Sequence, residues 1–233
     1  MDDRVGRSRL SPSSEDYLKA IYDLTATGGL AQTGEIAVAL QVAAPSVSGM
    51  VKRLTAAGLV SHVPYRGVQL TRAGRSTALQ LVRRHRIVEA YLAGKLGYGW
   101  DSVHEEAERL EHAVSDELIE RMAMALGNPQ YDPHGAPIPT RDGGVEELSL
   151  IPLSEVPVGE TAELRMVNDR DPERLRYLAS LGLKLGVAFA IVGRQPFRGP
   201  VTIRLPGAVP REQVIGHEMA QSVKCAIRAQ EVG

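Results

Sequence analysis

Five residues in one short segment, His104, Glu105, Glu108, Glu111 and His112, are of types that ligate cations. At about 100° per helical residue, His104, Glu108, Glu111 and His112 fall within one arc of roughly 100°. Val103, Ala107, Leu110 and Val114 fill the adjoining arc, the one expected to face a core. Two imidazoles and two carboxylates therefore meet at the edge of a buried surface. Carboxylates on one helix face repel by about a few tenths of a kcal/mol per pair, and a divalent cation offsets that. His85 and Glu89, at i and i+4, add a second imidazole–carboxylate pair beside the apolar stripe Leu81, Val88 and Leu92. One such pair is more often a hydrogen-bonded core histidine. Three His and three Glu on two consecutive helices favour a metal. A nitrogen and oxygen donor set without thiolate suits Mn²⁺, Fe²⁺ or Zn²⁺.

Other chemistries find little support. His104-Glu105-Glu106-Ala107-Glu108 is not the HExxH of a zinc protease. Arg109 stands three before His112, so the Glu-x-x-His of carboxylate-bridged di-iron proteins is missing. No Gly-rich phosphate loop or nucleophile elbow occurs. The single Cys225 excludes an internal disulfide and a multi-cysteine zinc site. His62, His134 and His217 have no matching partners in sequence and read as structural or surface residues. A metalloenzyme on the same ligand stripe would need acid/base partners around an open coordination position, and no such set is legible.

The elements that must carry these ligands follow from caps and periodicity. Ser13-Ser14-Glu15-Asp16 opens a helix with apolar Tyr17, Leu18, Ile21, Tyr22 and Leu24 in helical register. Thr33 is expected to cap a short second helix. Pro45-Ser46 starts a third, which ends at Gly58. Leu59–Val63 and Gly67–Leu70 read as two strands joined around Pro64-Tyr65-Arg66. Thr71 caps a long helix to about Leu96, Asp101 one through His112, and Ser115-Asp116 one to Leu126. Helix, helix, tight turn, helix and two-stranded ribbon is the order of a winged helix-turn-helix.

Charge supports that order. Formal net charge is −1, yet residues 1–100 carry 13 basic and 7 acidic residues. No acid lies between Glu35 and Glu89, where eight basic residues occur, and this is the footprint of a polyanion partner. Thr33, Pro45, Ser46, Ser48, Lys52, Arg53 and Arg66 are the candidate DNA contacts. Ser46 and Ser48 can bond base or phosphate, whereas Lys52 and Arg53 suit phosphate. One such domain binds weakly, so a homodimer on a palindromic operator is expected. A winged-helix protein-interaction module with a structural metal is the other reading of the same pattern.

Gly127-Asn128-Pro129 to Gly143-Gly144 is rich in Pro, Gly and Asp and reads as linker. Beyond it, the β-type runs Ala162–Val167, Phe189–Val192 and Val201–Leu205, with one helix Pro172–Leu181, indicate a small barrel-like β module. The expected fold is therefore mainly α with a small β module. Its parts are a winged helix-turn-helix at 1–74, metal-binding and dimerisation helices at 75–140, a linker at 141–150 and a β module at 151–233. No membrane-spanning run or signal-peptide stretch is visible, so a cytoplasmic location, with no membrane partner and no small organic substrate, is expected.

Several stretches carry a resemblance: Glu15-Asp16-Tyr17-Leu18-Lys19-Ala20-Ile21-Tyr22, Pro45-Ser46-Val47-Ser48, Arg84-His85-Arg86 with Glu89, Val103 to Asp116, and Asp132-Pro133-His134-Gly135-Ala136-Pro137-Ile138-Pro139. In these the chain resembles the diphtheria toxin repressor family of metal-dependent transcriptional regulators. Leu181-Gly182-Leu183-Lys184-Leu185-Gly186 and Pro196-Phe197-Arg198-Gly199-Pro200 resemble that family's SH3-like, iron-transport-A-like third domain. The resemblance implies a cytoplasmic homodimer that binds operator DNA when loaded with metal and controls metal-transport genes. It implies a primary site of Asp16, Glu108, Glu111 and His112, and an ancillary site of His85, Glu89 and His104. The iron-type branch has Met and Cys where this chain has Asp16 and Glu108, so Mn²⁺ is the expected effector, Fe²⁺ the alternative, and other divalent metals possible substitutes. Lys19 stands where the manganese branch has Glu, which argues against a close binuclear cluster. The third domain of long members also lends ligands, and Asp171 and Glu173 lie near the equivalent stretch.

Overall fold

The computed structural model describes residues 10–26, 28–63, 66–168, 171–207 and 210–228. Residues 1–9, and Pro64 and Tyr65 at the expected ribbon tip, lie outside them. Two compact units form, Met1–Arg84 with Pro139–Gly144, and His85–Ile138 with Val145–Gly233.

In the first unit, α1 (Pro12–Leu24) is capped by Ser11, whose Oγ accepts from the Ser14 amide, with Pro12 in the first turn. The cap thus precedes the expected Ser13, because Pro12 is suited to a first helical position. α2 (Thr33–Leu40) opens on a capping box of Gln32 and Glu35, so Thr33 is its first residue and not its cap. Gln41, in the left-handed conformation, turns the chain into α3 (Ala44–Ala56). Val47, Met50, Val51 and Leu54 of α3 are buried at i, i+3, i+4 and i+7, which leaves Pro45, Ser46, Ser48, Lys52 and Arg53 exposed. β1 (Val60–Val63) pairs antiparallel with β2 (Gly67–Leu70), and Ala31 bridges to Val68. Leu18, Ile21, Ile36, Val47, Leu54, Val60 and Val68 share one core. α4 (Arg72–Leu96) starts at Thr71, whose Oγ1 accepts from the Gly74 amide at 3.0 Å.

In the second unit, Ile87, Val88 and Leu92 of α4 pack with Val103 and Ala107 of α5 (Val103–Leu110) and Ile119 and Ala123 of α6 (Asp116–Ala125). The helix expected to reach His112 ends at Leu110. Glu111 keeps helical dihedrals as its C-cap, and His112 lies in the following turn. The stretch 127–144 is not the solvated linker its composition suggests. Asp132, His134 and Ile138 are buried, and Ile138 joins the helical core.

The β module holds a six-stranded antiparallel sheet in the order β3-β8-β4-β5-β6-β7. Its strands are β3 (Ile151–Pro152), β4 (Thr161–Val167), β5 (Ala188–Arg194), β6 (Val201–Leu205), β7 (Arg211–Ile215) and β8 (Val223–Ile227). α7 (Pro172–Ser180) and α8 (His217–Ser222) complete it, over a core of Leu153, Leu164, Leu178, Phe189, Ile191 and Ile203. β3 and β7 form no pair with each other among the described residues, so the sheet is open where a closed barrel was expected. β3 is only two residues long and cannot close it. Among the described residues no single helix is long and apolar enough to cross a membrane.

Candidate metal centre

α4 and α5 bring the predicted imidazoles and carboxylates together. His85 and Glu89 lie one helical turn apart on α4 and are both buried, because the same face carries Val88 and Leu92 into the core. His104 opens α5 beside the buried Val103. Three donor atoms converge: His85 Nε2 to Glu89 Oε1 is 3.0 Å, His104 Nδ1 to Glu89 Oε1 is 3.0 Å, and His85 Nε2 to His104 Nδ1 is 3.1 Å. The other face of the His85 ring meets Glu111, with Nδ1 to Oε2 at 2.6 Å, and Glu108 Oε1 at 3.7 Å. Glu108 Oε1 is also 4.0 Å from His104 Nε2, and His112 Nε2 is 3.5 Å from Glu111 Oε1. His85, Glu89, His104, Glu108, Glu111 and His112 thus form one continuous cluster within the second unit.

Behind Glu89 lies a second group, Glu89, Asp132 and His134, buried throughout. The loop after α6 builds it. Asp132 Oδ1 accepts from the His134 and Ala136 amides at 2.8 and 2.9 Å. Arg86 Nη1 donates to the Pro137 carbonyl at 2.6 Å, and Val167 N donates to the His134 carbonyl at 3.0 Å. Gly135 has φ +86, and a Cβ there would lie 1.9 Å from the Arg165 carbonyl oxygen, so only glycine fits. His134 Nε2 donates to the Trp100 carbonyl at 2.6 Å, and Nδ1 lies 3.9 Å from Glu89 Oε2.

The electrostatics divide the two buried acids. Burial alone would raise the Glu89 pKa, but hydrogen bonds from His104 and His85 and the charges of His85 and His134 outweigh it. They hold the carboxyl well below the usual range. Asp132 moves the other way. Burial and then the Glu89 charge push it up to about 6 against the pull of Arg86 and His134.

These residues fit a divalent cation. Glu89 Oε2 is buried and accepts no hydrogen bond among the described residues, a costly state for a carboxylate oxygen, and the buried Asp132 Oδ2 lies 3.5 Å from Arg86 Nε. The donor atoms of His85, Glu89 and His104 lie 3.0 to 3.1 Å from one another, close enough that one ion would be shared among them. Imidazole nitrogens and carboxylate oxygens suit borderline to hard divalent ions.

The remaining predicted residues divide by unit. Asp16 stands on α1 of the first unit. Asp171 caps α7, accepting from the Glu173 and Arg174 amides and pairing with Arg174 Nε at 3.0 Å. Neither Asp171 nor Glu173 falls in a ligand group among the described residues. Of the candidate DNA contacts, Pro45, Ser46, Ser48, Lys52, Arg53 and Arg66 are exposed and Thr33 is half-buried. The Arg66 carbonyl accepts from Gln32 Nε2 at 2.6 Å, which ties the ribbon to the start of α2.

Sequence reasoning missed Asp132 and His134. A buried Asp-x-His held by proline and glycine has no helical or strand period. The available signal was the density of Pro133, Gly135, Pro137 and Pro139 around one Asp and one His, a fixed loop rather than a linker.

Three family models match the chain. The iron dependent repressor N-terminal DNA binding domain covers residues 9–68, the iron dependent repressor metal binding and dimerisation domain 71–140, and the FeoA domain 151–226. The iron-dependent repressor IdeR of Mycobacterium tuberculosis is 33% identical over 230 residues, covering 93% of this chain and 98% of that protein. A manganese-dependent transcriptional repressor solved in complex with manganese is similar at TM-score 0.85 and 39% identity, covering 92% of this chain and 100% of that one. ScaR with bound Cd²⁺ is similar at TM-score 0.80 and 33% identity, covering 91% and 98%.

Proposed function

The chain belongs to the iron-dependent repressor family and is a metal-dependent transcriptional regulator, not an enzyme, and on that premise we propose that Mn²⁺ is its effector. The observation that carries the reading is the convergence of His85, Glu89, His104, Glu108, Glu111 and His112 without a sulfur ligand. Such a donor set favours Mn²⁺ or Fe²⁺ over soft ions. The similarity to a manganese-bound repressor supports Mn²⁺. The similarity to IdeR favours Fe²⁺ as the second reading.

His85, Glu89 and His104 form the ancillary ligand set in this proposal, and Glu108, Glu111 and His112 the primary one. Asp16 joins the primary set on the resemblance alone. Glu89 also faces Asp132 and His134, which extend the ancillary set inward. A bound divalent cation supplies the positive charge that these carboxylates lack. Thr33, Pro45, Ser46 and Ser48 lie against operator DNA, and Lys52, Arg53 and Arg66 bind its phosphates. Residues 1–74 read DNA, residues 75–140 bind metal and pair two copies of the chain, and 151–233, after a linker at 141–150, form the accessory β module. The protein works in the cytoplasm as a homodimer that controls metal-transport genes.

The choice of metal is tested by operator binding at one salt concentration with chelator, Mn²⁺, Fe²⁺ or Zn²⁺. A gain of about ten-fold with Mn²⁺ at lower free concentration than Fe²⁺, about 1.4 kcal/mol of coupling, is expected. A gain with Fe²⁺ alone overturns the choice of manganese.

A further inference from the structure

Gln32, at the start of α2, holds the backbone of a ribbon residue 34 positions away, its Nε2 donating to the Arg66 carbonyl at 2.6 Å. The Arg66 amide donates to the Val63 carbonyl at 3.0 Å. Both peptide planes that flank the Arg66 Cα are therefore held, and only the side-chain torsions of this exposed arginine are left to move.

The donor is fixed as well. The Gln32 amide donates to Glu35 Oε2 at 2.8 Å, in the first turn of α2. Just before it, Ala31 exchanges two hydrogen bonds with Val68, each 2.9 Å. Gly67 permits that approach, with φ +124 and a position where a Cβ would lie 2.7 Å from the Ala31 carbonyl oxygen. Ala31 thus bridges to β2, and the Gln32 side chain extends the attachment to Arg66, nearer the tip. A ribbon of two four-residue strands is marginal by itself. Its tip holds one conformation only with such an attachment.

The bond lies in the open, since Gln32 and Arg66 are both exposed. Water would take either group if they parted, so the bond adds little net stability to the fold. What it fixes is direction. Arg66 is the one Lys or Arg in residues 60–70, so any phosphate contact by a cationic side chain of the ribbon falls to it. An arginine whose backbone is already placed loses less conformational freedom on meeting a phosphate than one on a loose hairpin.

We infer that Gln32 is a positioning residue for DNA binding. By holding the Arg66 carbonyl it presents the Arg66 guanidinium to an operator phosphate, without touching DNA itself. The inference rests on the reading of Arg66 as a phosphate contact.

The test uses the full-length Mn²⁺-loaded protein and the duplex that the wild type selects from a randomised pool. Gln32→Met keeps the reach of the side chain and removes the donor, while the backbone bond to Glu35 survives. Gln32→Met, Arg66→Ala and the double variant are compared with wild type. Gln32→Met should melt within about 2 °C of wild type, as surface changes do, yet bind the duplex about five-fold more weakly. Arg66→Ala should bind at least about five-fold more weakly and reduce the slope of log affinity against log salt by about one. In the Arg66→Ala background, Gln32→Met should change affinity by less than about two-fold, because no guanidinium is left to aim. The inference is overturned if Gln32→Met binds as tightly as wild type. It is also overturned if Gln32→Met weakens binding equally with and without Arg66, the mark of a direct DNA contact. A fall in its melting temperature of about 5 °C or more would make the role structural and overturn it too. If Arg66→Ala leaves affinity and slope unchanged, the reading of Arg66 as a phosphate contact fails and the inference falls with it.

Discussion

His85 Nδ1 lies 2.6 Å from Glu111 Oε2, while Nε2 of the same ring lies 3.0 Å from Glu89 Oε1. One imidazole is thus held between two buried carboxylates, one from each of the two proposed ligand sets. A neutral ring carries one proton and can donate to only one of them. The arrangement calls for a further positive charge, as a second proton or as a cation.

Protons and cation should therefore compete. Calorimetric titration of Mn²⁺ in buffers of different ionisation enthalpy should show about one or more protons released per bound ion, with affinity rising as pH rises. Affinity independent of pH, with no proton release, would remove the imidazole cluster from the binding step.

Asp132 gives a stability prediction of definite sign. Its folded pKa of about 6 is above the ordinary value of 3.8, so the folded state holds the proton more tightly than the unfolded chain. The resulting stability is complete below about pH 4 and is lost as pH rises through about 6. Asp132→Asn keeps an oxygen for the His134 and Ala136 amides but carries no charge. In chelator, the variant should be more stable than wild type at pH 7.5 by about 2–3 kcal/mol, with the gap closing toward pH 4. Denaturant melts across that range check it, and a gap that does not change with pH would contradict the assigned burial of the charge.

Lys52 stands exposed one turn beyond Ser48 on α3. Lys52→Ala should weaken binding to all sequences alike and reduce the slope of log affinity against log salt by about one. Affinity measured at several salt concentrations decides it. An unchanged slope would mean that Lys52 does not meet a phosphate.

What was legible in the sequence follows from periodicity. The stripe His104, Glu108, Glu111 and His112 could be placed because helical spacing fixes which side chains share a face, and α5 with its cap keeps that register through Glu111. His85 and Glu89 were legible for the same reason. The helix-turn-helix could be read because Val47, Met50, Val51 and Leu54 announce which face of α3 is buried. Asp132 and His134 were not, because their burial comes from loop contacts to Arg86, Trp100 and Val167, all distant in sequence. The short β3 and β7 were hidden too. β3 has two residues, and β7, Arg211–Ile215, is polar along most of an edge strand.

In the proposed mechanism the cluster from His85 to Glu111 holds a cation, and binding of that cation raises affinity for DNA. Operator affinity measured for wild type and Glu111→Ala, each in chelator and in Mn²⁺, tests it most directly. Wild type should gain about ten-fold or more with Mn²⁺ and the variant nothing, with the variant still a folded dimer by sedimentation and circular dichroism. A full metal-dependent gain in Glu111→Ala, or equal wild-type affinity in both conditions, would contradict it.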